Sequence, residues 1–436
     1  RGTAFLAHDA AECEFDSVTL PSFADVCDSK RFYADATRIE YAEHDPVRGR
    51  ALIQEHDGRY LIVNPPAMPL ETKELDRVAE LPYTKQYHPM YEPLGGVPAI
   101  EEVKFSVIHN RGCFGGCNFC AIQLHQGRRV TSRSADSIVA EAERMTHEPD
   151  FKGYIHDIGG PTANFRFPSC REQMLRGMCN GGKHCLAPTT CSHMIVDHND
   201  YLKILRRVRE LPGVKKVFIR SGIRFDYLMA DPDDTFFKEL VEYHVSGQLK
   251  VAPEHCAPNT LAYMGKPPIE TFNKFKDKFY ELSKKAGKKQ YLVPYLMSSH
   301  PGSTLKDAVY LAEYLYKNHM RPEQVQDFYP TPGTISTCMY YTGIDPTTMK
   351  SVYVAKTFHE KAMQRALLQW KRPDKRRLVI EALKEAGRED LIGYGPECLV
   401  RPDAPQQRRP KNAAEKPPEP KKPQNKQGWA KAKPKK

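Results

Sequence analysis

The stretch VKFSVIHNRGCFGGCNFC, residues 103–120, runs an apolar segment straight into a loop that carries three cysteines within eight residues. VKFSVIHN (103–110) is rich in β-branched residues and predicts a strand. The loop spacing is Cys113-x3-Cys117-x2-Cys120, with Gly112, Gly115 and Gly116 free to take backbone angles that wrap a compact group. Three thiolates this close can converge on one inorganic cluster, and iron–sulfur clusters are held by cysteine thiolates, usually four of them. A three-cysteine set leaves one iron open for a substrate, as an open position marks catalytic metal sites. The alternatives are a zinc loop or three unrelated buried thiols. Zinc needs a fourth ligand and usually takes cysteine pairs from two separate groups.

Downstream of this loop, strand and helix alternate. We expect a helix over 135–145 behind Ser134 as cap, and a strand over 154–160. A helix over 201–211, a strand over 214–222, a helix over 234–244 and a strand over 248–255 follow. Next come a helix over 269–287 ended by Gly287, a strand over 290–299, a helix over 303–318 capped by Ser303 or Thr304, and a strand over 323–330. Six strand–helix units in a row imply a parallel sheet, because each parallel pair needs a crossover. A full eight-unit barrel takes about 250 residues. Six units and a long insertion therefore predict an α/β fold, a partial (β/α)6 barrel of TIM type, with reactive groups on the loops after its strands.

The expected divisions are a partial N-terminal region over 1–100, a core barrel over 101–345 with a Cys-rich insertion at 161–197, a helical extension over 346–400 and a tail over 401–436. The first 100 residues read as irregular, with one strand in RYLIVNPP (59–66). Hydrophobic content of 40% and charged content of 27% suit a globular protein. No apolar run reaches the roughly 18 residues of a membrane span, so no membrane partner is expected. No signal peptide opens the chain and no Met precedes Arg1, so we expect a piece of a longer protein.

The net charge of +11 has a location. Residues 401–436 hold 12 Lys+Arg against 3 Asp+Glu, which leaves 53 against 51 in the first 400 residues. Nucleic acid, or another acidic partner, is thus expected only through this Lys- and Pro-rich tail, by phosphate neutralisation. The tail lacks the interleaved aromatics of a stacking platform, having Trp429 alone, and its composition predicts disorder. Seven of the twelve cysteines fall between 113 and 191, which favours metal ligation in a reducing, cytoplasmic compartment over disulfides.

Cys-x3-Cys-x-aromatic-Cys after a first barrel strand, with Phe119 as the aromatic, resembles the radical S-adenosylmethionine (SAM) superfamily. The resemblance implies a 4Fe–4S cluster whose open iron chelates the amino and carboxylate groups of SAM, and an electron donor such as flavodoxin or ferredoxin. Reductive cleavage would give methionine and a 5′-deoxyadenosyl radical that abstracts hydrogen from a substrate. It also implies that Gly159-Gly160 receives the methionine amino group on backbone carbonyls. The segments RGTAF (1–5), NPPAMPL (64–70), NRGCFGGCNFCAI (110–122), SGIRFDY (221–227), VAPEH (251–255), PYLMSSHPG (294–302) and FYPTPGT (328–334) are similar to the YgiQ-type radical SAM family. That family implies a further region upstream of Arg1 and names no substrate.

A second cysteine group reads Cys170-x8-Cys179-x5-Cys185-x5-Cys191. It could ligate an auxiliary Fe–S cluster or a structural zinc, with His184 and His193 as alternative ligands, or leave its thiols free. Ser221 and Arg224, after the third strand, are candidates for the ribose or carboxylate of SAM. Glu254 and His255, after the fourth, are candidates for ligand contact or proton transfer, since His titrates near neutrality. Arg and Glu could instead pair for structure. Cys13, Cys27, Cys256, Cys338 and Cys398 read as ordinary thiols. Three functions follow: SAM cleavage on an unidentified substrate, methylthiolation of RNA or protein with the second cluster as sulfur source, or a non-catalytic metal-bound scaffold.

Overall fold

The computed structural model describes residues 1–179, 184–322 and 325–402. The tail expected to be disordered lies outside the described residues from 403 onward, as do Glu323 and Gln324 of the sixth expected strand.

The core is a mixed α/β partial barrel of parallel pairs. The first strand, Ser106–Ile108, pairs in parallel with Asp157–Gly159 of the second. The second strand's other segment, Tyr154–Ile155, pairs in parallel with the third, Lys216–Val217. The fourth, Gln248–Glu254, pairs in parallel with the fifth, Tyr291–Ser298, which pairs with the sixth, Gln326–Asp327. Helices Ala135–Thr146, Asn199–Arg209, Ile269–Lys285 and Leu305–Lys317 cover the sheet. Their apolar faces meet the strands in one core: Ile138, Leu205 and Phe275 pack with Val107, Ile158, Val217 and Val251. Ser134 caps its helix through the Ser137 N–H at 3.1 Å, and Thr304 rather than Ser303 caps the helix it precedes.

Two expected elements differ. The third strand is only two residues long, because beyond it the Arg220 and Ser221 N–H groups turn to the Asp157 carboxylate, at 2.8 and 3.2 Å. The helix expected over 234–244 is α-helical for Thr235–Glu239 and then widens to a π-turn over Leu240–His244. That turn bridges toward the third strand. The His244 carbonyl accepts the Ile219 N–H at 3.1 Å, and its Nδ1 sits 2.8 Å from the Val217 carbonyl.

Residues 1–100 are more ordered than expected. Strands Ala4–Ala7, Arg59–Val63, Ala51–His56 and Ser17–Thr19 form a sheet in that order, with helix Lys30–Glu43 against it. The sheet was hard to read because its strands are short and largely exposed; Ala4–Ala7 buries one residue in four. Phe358–Leu368 and Arg376–Glu385 pack on Leu305–Lys317 through Val309, Leu367, Val379 and Leu383 in a second core. No helix among the described residues is long and apolar enough to cross a membrane.

Candidate active site

The three-cysteine loop leaves the first strand and is tied on both sides. The Cys113 N–H donates to the Gly127 carbonyl at 3.0 Å, and the Asn118 N–H to the Met264 carbonyl at 2.9 Å. The Asn118 side chain donates to the Tyr263 carbonyl at 3.0 Å. Gly112 and Gly116 take positive φ of 83° and 69°. A methyl on Gly112 would strike the Arg129 carbonyl, and one on Gly116 the His184 ring, so both glycines are required by space as well as by angle. Phe119 packs on the main core and meets His300 edge-on at 6.0 Å.

Burial pushes the Cys113 thiol up, and it pushes Cys120 to about 11. Without a cationic ligand these sulfurs hold their protons; binding iron would release them. One cation already faces them. Arg224, buried, donates Nη1 to Cys117 Sγ at 3.2 Å, and its Nε and Nη2 grip the Asp226 carboxylate at 2.9 and 2.5 Å. Arg224 thus points at the Cys117 sulfur rather than standing free for a ribose or carboxylate. A methyl on Gly115 would strike its guanidinium.

The Gly159-Gly160 turn sits beside this loop. The Gly159 carbonyl accepts the His109 N–H at 2.9 Å and belongs to the sheet. A side chain on Gly159 would overlap the Ser221 hydroxyl and Asp157 carboxylate, and one on Gly160 the Asn110 amide oxygen. Ser221 is therefore bonded to Asp157, not presented to a ligand. Asp157 was not among the residues expected from sequence. Burial raises the pKa of its carboxyl, against the pull of the Ser221 and Arg220 bonds. Its place two residues ahead of the glycine pair was the available signal. Asn110 Oδ1 and Asn118 Oδ1 are buried acceptors with no donor among the described residues.

Glu254 lies in the same region with a positive φ of 69° and is buried. Burial raises its pKa, while Lys266 and Arg224 lower it. His255 behaves differently. Its Nδ1 accepts the Ala257 N–H at 3.0 Å, ahead of helix Pro258–Met264, and burial lowers its pKa to about 3. The structure gives it a neutral, loop-fixing role.

The second cysteine group lies on the segment after the second strand. Cys170 stands just ahead of helix Arg171–Arg176 without a side-chain capping bond, and the Cys191 N–H donates to the Cys185 carbonyl at 2.9 Å. All four cysteines line one cavity of about 410 Å³. Among the described residues, no three His, Cys, Asp or Glu side chains are gathered tightly enough to hold a single metal ion, in either cysteine group.

Comparison with known proteins bears on the family. Residues 107–315 match the family model described as Radical SAM superfamily, residues 1–106 the one described as Radical SAM N-terminal, and residues 323–436 a domain of unknown function, DUF3362. Curated relatives include a UPF0313 protein of Clostridium perfringens strain 13, 61% identical over 400 residues, and one of Clostridium botulinum strain 657, 56% identical over 400. Each alignment covers 92% of this chain but only 60% and 62% of the relative, so the chain spans about three fifths of their length. Two solved structures of TsrM from Kitasatospora setae, titled a radical S-adenosylmethionine methyltransferase, are 14% and 12% identical. They cover 54% and 76% of this chain, and the matches span 37% and 71% of those chains, with TM-scores of 0.34 and 0.35. Overlap at that level is too loose to carry an argument.

Proposed function

We propose that this chain, which belongs to the radical SAM superfamily, holds a 4Fe–4S cluster on Cys113, Cys117 and Cys120 and cleaves SAM reductively on behalf of an unidentified substrate. Bound there, the cluster and SAM would supply a 5′-deoxyadenosyl radical for hydrogen abstraction. The supporting observation is the loop itself: three thiols directly after the first parallel strand, cleared by glycines, with a buried guanidinium on one of them.

The chain's own residues then divide the work. Arg224 offsets thiolate charge at Cys117, and Asp226 fixes its direction. Asn110 and Asn118 offer buried acceptors for the amino or hydroxyl donors of SAM. Asp157 and Ser221 shape the wall behind the glycine pair. Proton transfer falls to Glu254 rather than to His255, because Glu254 is the ionisable group influenced by Arg224 and Lys266. Electrons would come from a small donor of the flavodoxin or ferredoxin type, in a reducing cytoplasm that suits twelve free cysteines.

The test is anaerobic. Reconstituted, reduced protein should convert SAM to 5′-deoxyadenosine and methionine, and Cys117→Ala should abolish this. No 5′-deoxyadenosine above background from fully loaded protein, with cell-extract metabolites supplied as substrate, would overturn the reading and leave a metal-bound scaffold.

A further inference from the structure

We infer that Cys170, Cys179, Cys185 and Cys191 form a second metal centre that takes a complete four-thiolate Fe–S cluster of the 4Fe–4S class. This deepens the reading above without depending on SAM cleavage, because it concerns a different ligand set.

Three observations carry it. First, the four cysteines fall within a stretch of 22 residues, and the segment folds so that every one of them lines the same cavity of about 410 Å³. Thiols that merely pack would have no reason to line one shared cavity.

Second, the four thiols line a cavity of cluster size and are not gathered for one ion. Zinc at about 2.3 Å from each sulfur would draw tetrahedral thiolates to roughly 3.8 Å of one another. Among the described residues neither cysteine group is gathered that tightly. A multi-iron cluster sets its thiolates further apart. Four protein thiolates would saturate all four irons, so this centre has no open position and cannot compete with the first loop for SAM.

Third, the cavity is a built site. Arg48 lines it with positive charge, which favours the negative net charge of a four-thiolate cluster, while Arg176 is paired with Glu172 at the rim at 3.3 Å. Arg48 is held by its Nε bond to the Met178 carbonyl at 3.1 Å. Asp45, almost fully buried, accepts the Met178 N–H at 2.7 Å and those of Val47 and Arg48 at 2.9 and 3.1 Å. The N-terminal unit therefore supplies one wall.

The second centre also adjoins the first. Phe114, Phe165, Leu186 and Tyr227 form a small buried cluster on which both Cys113 and Cys185 pack. Phe114 and Phe165 stack at 3.8 Å.

Iron counting separates the two centres. In the full chain with Cys113, Cys117 and Cys120 all replaced by Ala, anaerobic reconstitution with ferrous iron and sulfide should still retain about four irons and four sulfides. Wild type should hold about eight irons, and the variant with Cys170, Cys179, Cys185 and Cys191 replaced by Ala about four. SAM should perturb the EPR signal of that last variant but not of the first-loop variant. If the first-loop variant retains no iron, or if its cavity binds one zinc and excludes iron, the inference is overturned. The first-loop variant leaves the second cavity intact, so a folding defect in the four-cysteine variant would not blunt the test.

Discussion

Arg224 and Cys117 are joined by a hydrogen bond of 3.2 Å across 107 residues of sequence, with the guanidinium's other edge locked by Asp226. A hydrogen bond to a charged acceptor contributes about 1.5–3 kcal/mol. Donated to a cluster thiolate, it should favour the reduced, more negative state. Arg224→Lys keeps the charge and loses the fork, so the potential of the first cluster should fall by roughly 60 mV, taking about 59 mV per tenfold for one electron. EPR-monitored redox titration checks this; an unchanged potential would show that the contact is only structural. Arg224→Gln should also cost about 3–5 kcal/mol in denaturant unfolding, because it leaves Asp226 buried without its cation.

The glycine pair gives a steric prediction. In Gly159→Ala the new methyl meets both the Ser221 hydroxyl and the Asp157 carboxylate. Overpacking of this kind costs about 1–3 kcal/mol, and here it pushes on the wall beside the cysteine loop. SAM affinity by calorimetry should drop while iron content stays at wild-type level. Gly222→Ala, where a methyl meets open space, is the control and should bind SAM normally.

Acid should destabilise the fold earlier than its carboxylates alone would dictate. Burial lowers His109, His255 and His300 to about 3 and His244 to about 4. Unfolded, these histidines would titrate near 6.5. The unfolded chain then binds more protons below that pH, so stability present at neutrality is lost as pH falls from about 6.5 toward the folded values. The slope is about 1.4 kcal/mol per pH unit for each histidine. Urea midpoints at pH 7, 6 and 5 should decline steadily, and His255→Gln should flatten the decline by one proton. Midpoints that hold constant from pH 7 to 5 would refute the assignment of neutral buried rings.

Much of the barrel was legible because each long element carries its own period. Gln248–Glu254 and Tyr291–Ser298 are long enough to announce themselves, and the helix holding Phe272, Phe275 and Phe279 shows its buried stripe. What was not legible depends on partners distant in sequence. The third strand stops after Val217 because a carboxylate 64 residues upstream of Ser221 takes over its backbone donors. The π-turn at Leu240–His244 answers to the Val217 carbonyl, not to local propensity. The first sheet escaped notice because Ser17–Thr19 and Ala4–Ala7 bury too little to alternate visibly. Within the site, the cysteines were plain from spacing, whereas the engagement of Arg224 with Cys117 and of Ser221 with Asp157 could come only from the fold.

The bond from Asp45 to Met178 spans 133 residues, and this gives the chain a birth order. A ribosome adding about 5–20 residues per second separates the two partners by on the order of ten seconds. During that interval the Asp45 carboxylate has no Met178 to receive, and the nascent N-terminal sheet waits with one flank unfinished. The later segment completes it on arrival. The proposed second centre therefore has its four thiols only once Cys191 is made, and the first loop waits longer still, until Arg224 and Met264 arrive to tie it.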